Sequence, residues 1–225
     1  MKFKNKLVKA EVKRLYPNVY GVKVDDAYDR AMLFCRYQEF YESPFKQIRG
    51  KYFTLEEYMR LYTKENKKNF FTYPYDWSGY NIPSNVLEKA VNLFYKENPY
   101  DEIMNSIEIY CSNSAMDTND GKRTKWYLIG YGPENDSILA HEIAHAFYYT
   151  NKKYKVEMDN AVAKIQKNDY NSIKKELIKM GYVDDKKIID DEIQAFVSTG
   201  LYGAFDNDKI RKYQKDFQLI YSKYV

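Results

Sequence analysis

Two histidines are all that this chain contains, along with two cysteines, six prolines and nine glycines in 225 residues. Each scarcity excludes something. Cys35 and Cys111 are far apart and lack metal-ligand spacing, which rules out a disulfide scaffold or a cysteine-built zinc knuckle and predicts two free thiols. Proline and glycine never cluster, so no linker, repeat or low-complexity segment interrupts the chain. Neither sign of charge dominates: 36 basic and 32 acidic residues leave +4, too balanced to select a nucleic acid or a membrane surface by bulk charge. No apolar run approaches the roughly 18 residues of a membrane span. The first stretch, "MKFKNKLVKAEVKRLY", has no apolar core of a secretory signal, so an intracellular location is expected.

What is abundant is tyrosine, with 25 residues, and lysine, asparagine and isoleucine are also frequent. An A/T-rich genome produces that bias without selection for function, so a tyrosine near a site says little by itself. With 44% hydrophobic and 30% charged residues, the chain can bury a core and suits one domain of 225 residues.

The first hundred residues read mainly as helices. Lys2, Lys6, Lys9 and Lys13 follow helical spacing and predict one solvated basic face. Asp25 or Asp26 caps a helix running to about Tyr41, Thr54 and Glu57 form a capping box, and Ser84 starts a helix with Val86, Leu87, Ala90, Val91 and Phe94 on one face. The aromatic stretch "FFTYPYDWSGYNIP" between them reads as a packed loop. From residue 101 the pattern changes. "SIEIYCS" alternates as a strand does, "KWYLIGY" is a second strand, and "MDTNDGK" supplies a turn, so an antiparallel hairpin is expected. Asp136 or Ser137 then caps a helix. "VEMDNAVAKIQKNDYNSIKKELIKMGY" is helical up to Gly181, and Asp184 or Asp185 starts a last helix that ends at Gly200. The fold class is α+β.

Both histidines lie in "SILAHEIAHAFYYTN". On a helix His141 and His145, four apart, share a face and can point at one ion. Glu142 is turned by about 100° from His141, so it stands beside the ion, where it can move a proton between a metal-held water and a leaving nitrogen. This is the H-E-x-x-H pattern of zinc metallopeptidases. Random placement of two histidines and 15 glutamates produces it in roughly one arrangement in 1,700. A catalytic zinc takes three protein ligands, and no third histidine exists. The third must be a carboxylate or a thiolate, and Glu192 in "DDEIQAF" is the strongest candidate, with small Ala195 letting two helices approach. Asp191 and Asp190 are the competitors. Cys35 and Cys111 are weaker ones.

"HEIAH" followed by "DEIQAF" on a second helix resembles the gluzincin metallopeptidases over about residues 106–203. The missing third histidine excludes the metzincin pattern. The resemblance implies a zincin-like domain with a mainly helical region at residues 1–100 and a metal-site core at 101–225, its small antiparallel sheet packed beside the H-E-x-x-H helix. It implies Zn²⁺ held by His141, His145 and Glu192, Glu142 as general base and acid, and a protein or peptide substrate bound as an added strand along Tyr127 to Gly130. It also implies an oxyanion donor, for which Tyr182 and Tyr202 are placed ten residues either side of Glu192. The alternative is a catalytically silent, peptidase-like binding module. The intact Glu142 speaks against it, because holding a metal does not need that carboxylate.

Overall fold

The structure is a computed structural model and describes residues 1–115, 124–133, 136–200 and 207–225. It divides into two compact units, Met1–Asn135 and Asp136–Val225. The chain is α+β, mostly helical, and its described residues form one five-stranded sheet.

In the first unit the N-terminal lysines do not share a helical face. Val8, Ala10 and Val12 are buried while Lys9 and Lys13 face solvent, and that period of two makes strands. Spacing the charges gave the wrong period because the apolar residues between them carry the signal. Lys2–Lys4 is β1 and Lys9–Tyr16 is β2. A turn with Asn18 at φ 61° leads to antiparallel β3, Val19–Lys23. Beside β3 runs Tyr127–Tyr131 in parallel, and Tyr80–Pro83 takes the other edge of that strand in antiparallel register. These are β5 and β4, and the order is β1-β2-β3-β5-β4. The sheet is therefore mixed, where an antiparallel one was expected. β5 has both edges hydrogen-bonded, so Tyr127 to Gly130 cannot receive an added strand.

The partner expected for that strand is a helix. Pro99–Ser114 is α5, started by Asn98, whose side chain accepts from the backbone N–H of Tyr100 and Asp101. Its buried stripe is Ile103, Met104, Ile107 and Cys111 at helical spacing. Ile109, the residue that completed the alternation, is half exposed. The turn "MDTNDGK" lies outside the described residues.

The other helices of this unit follow their caps. α1 (Ala27–Glu42) is capped by Asp26, α2 (Leu55–Glu65) by the Thr54/Glu57 box, and α4 (Ser84–Leu93) starts at Ser84 as expected. The aromatic stretch before α4 is more ordered than a loop, holding the short α3 (Tyr73–Asp76) and then β4. Tyr58, Tyr62, Phe71 and Tyr73 pack there, mostly edge to face, an arrangement the ring quadrupoles favour. On β5, a Cβ at Gly130 would sit 2.6 Å from the Phe34 ring, so only glycine lets α1 lie this close. Cys35 and Cys111 are free and buried.

The second unit is helical throughout its described residues. α6 (Asp136–Thr150) is followed by α7 (Lys152–Ala163), capped by Asn151. The expected single helix from Val156 breaks near Gln166, and α8 (Lys167–Lys179) ends before Gly181 at φ 103°. α9 (Lys186–Thr199) starts at Asp185, whose side chain accepts from the Lys187 N–H, and stops at Gly200 in the left-handed region, φ 75°. It is not the last helix: α10 (Asn207–Tyr221) packs on α9 and α7. Among the described residues no helix is long and apolar enough to cross a membrane.

Candidate metal centre

α6 and α9 pack against each other, and small residues permit it: Ala144, Ala146 and Ala195 are wholly buried. His141 and His145 project from α6 and Glu192 from α9. All three are more than nine-tenths buried, as is Glu142. The two imidazole Nε2 atoms are 3.2 Å apart. Glu192 Oε2 is 3.8 Å from Nε2 of His141 and 3.7 Å from Nε2 of His145. Ligand atoms about 2.0–2.1 Å from a tetrahedral ion stand about 3.3 Å from one another. The three atoms thus form a tripod of the right size, and the group could hold a metal ion.

The electrostatics favour a cation at that point. Burial lowers the His141 pKa well below 6.5, and the neighbouring His145 lowers it further. Burial acts in the same sense on His145, but the charges of Asp191 and Glu192, the hydrogen bond to Asp191 and the charge of Glu142 outweigh it and raise the value to about 10. Glu192 is buried against both rings, and a buried carboxylate is stable when it is paired or bound to a metal.

The acidic triplet divides its work. Asp190 accepts from the Tyr170 hydroxyl at 2.8 Å and pairs with Lys186, away from the histidines. Asp191 does not join the tripod. Its Oδ1 lies 2.9 Å from His145 Nδ1, on the far side of that ring from Glu192. Glu192 alone of the three faces both Nε2 atoms. Of the two tyrosines suggested for the oxyanion, Tyr202 lies outside the described residues. Tyr182 packs edge-on to Phe196, whose ring centroid is 4.5 Å from that of His141.

Sequence reasoning missed three contributors. Asp191 reads in the sequence only as a rival ligand, whereas in the structure it hydrogen-bonds to His145. Phe196, at i+4 from Glu192, lies against His141, and Gln194, at i+3 from Asp191, donates to Asp191 Oδ1 at 2.9 Å. Helical spacing from the acidic triplet could have found both. Comparison with family models, with curated proteins and with solved structures returns no match to this chain.

Proposed function

We propose that this protein is a zinc-dependent peptidase of gluzincin type, with His141, His145 and Glu192 holding the ion and Glu142 moving the proton. The observation that carries the reading is the convergence, 3.2 to 3.8 Å apart, of two Nε2 atoms from α6, the helix that also carries Glu142, and one carboxylate oxygen from α9. Two imidazoles and a carboxylate are a donor set that zinc takes in hydrolytic sites, where a position stays open for water or substrate. Zinc held there would supply Lewis acidity, polarising a scissile carbonyl and lowering the pKa of water.

The remaining work falls to side chains of this chain. Glu142 follows His141 directly on α6, is buried with it, and its charge acts on His145, which supports a place for its carboxylate beside the tripod. There it takes a proton from the attacking water on one oxygen and delivers it to the leaving amide nitrogen. Burial of Glu142 and of the tripod keeps bulk water from competing for that proton. A module that only binds a metal has no use for a buried carboxylate at position 142, which is why hydrolysis is preferred over a silent role. The substrate class is a protein or peptide.

The test is Glu142→Gln assayed on a mixed peptide library alongside zinc content. The variant should keep its zinc and lose cleavage by about 10²–10⁴-fold. Cleavage at the wild-type rate would remove Glu142 from the role of base and overturn the mechanism.

A further inference from the structure

The Asp191 carboxylate takes two hydrogen bonds on one oxygen, from His145 Nδ1 and from Gln194 Nε2, each at 2.9 Å. The other end of the Gln194 amide, Oε1, accepts from the Tyr154 hydroxyl at 2.9 Å. Gln194 and Tyr154 are wholly buried, so these polar atoms have no water to fall back on. The chain of bonds runs from α7 through α9 to His145 on α6.

Its direction is fixed by donor and acceptor chemistry. An ionised carboxylate can only accept, so Gln194 must turn its NH₂ toward Asp191 and its carbonyl toward Tyr154. For the same reason His145, in the neutral form that binds a metal, carries its hydrogen on Nδ1, and its Nε2 lone pair then faces the tripod. His141 has no side-chain support of this kind: among the described residues its Nδ1 makes no hydrogen bond of normal geometry, the Ala195 backbone is the polar group that acts on it, and its ring packs on Phe196.

We propose that Tyr154 and Gln194 are positioning residues, a buried relay that acts through Asp191 to set the tautomer and ring position of His145 and so the affinity of the site for its metal. The relay rests on the zinc-binding reading above. It makes the two histidines unequal: His145 is held through side chains of α9 and α7, and His141 by packing on Phe196 and by the Ala195 backbone. It also ties α7, which supplies no ligand, to the strength of the centre.

The chain's two histidines make this readable. Zinc affinity would be measured by competition with a chromophoric chelator, and the ring nitrogens followed by ¹⁵N-histidine NMR of the zinc-loaded protein. Gln194→Met keeps the volume and removes both bonds. It should weaken zinc binding by about 10–100-fold and shift the His145 Nδ1–H resonance or speed its exchange, leaving the His141 signals in place. Tyr154→Phe keeps the ring, and should do the same to a smaller extent. Wild-type affinity in both variants with an unchanged His145 resonance would overturn the relay and leave the metal centre standing. An Nε2–H tautomer for zinc-loaded His145 would also overturn it. A wild-type protein that takes up no zinc would remove the reading on which the relay rests.

Discussion

Asp190, Asp191 and Glu192 are three consecutive acids, and they bind a tyrosine and a lysine, a histidine Nδ1, and the convergence point of two Nε2 atoms, respectively. The sequence could narrow the third ligand to this triplet because no third histidine exists, and the 100° step of a helix means only one of them can face the site. Asp191's supporting role was not legible, since it depends on how α9 is rotated against α6. A different acid shows what burial does to a carboxyl. Glu39 is buried in α1 with no hydrogen-bond partner at Oε2. Burial raises its pKa above 4.5, and the hydroxyls of Ser43, Tyr58 and Tyr73 offset this only in part. The folded state then holds the proton more tightly than the unfolded chain, so the stability tied to it is complete below about pH 4.5 and is lost as pH rises through the raised value. Glu39→Gln does not titrate. Its thermal midpoint should exceed that of wild type at about pH 7–8, with the gap closing near pH 4, as followed by circular dichroism. A gap that does not change with pH would contradict this account of Glu39.

At the scale of elements, capping carried most of the information. Asp26, Thr54 with Glu57, Asp185 and Gly200 mark helix ends where the residue types demand them. Those signals are local, so they survive without knowledge of the fold. Period was less reliable over short windows. "SIEIYCS" alternates, yet its helix buries Ile107 and Cys111 at i and i+4 and leaves Ile109 half exposed, a difference visible only when Ile103 and Met104 are included. Ile107→Ala should cost about 2–5 kcal/mol by denaturant unfolding, and Ile109→Ala about 0.5 kcal/mol or less. Equal losses at the two positions would mean that α5 does not bury the face described.

For the whole molecule, α+β was legible from the mixture of periods, but the sheet's pairing was not. β3 and β5 run parallel although about a hundred residues separate them, and no local pattern encodes a partner that distant. The same holds for the centre: α6 announces half of a site, and its other half comes from α9, 47 residues past His145. The account's central claim is that His141, His145 and Glu192 together make a metal site, and elemental analysis after reconstitution with zinc tests it most directly. Wild type should hold about one zinc per chain. Asp190→Ala should match it, and Glu192→Ala should fall well below one. No divalent metal in the wild type, or a full equivalent retained by Glu192→Ala, would contradict the claim.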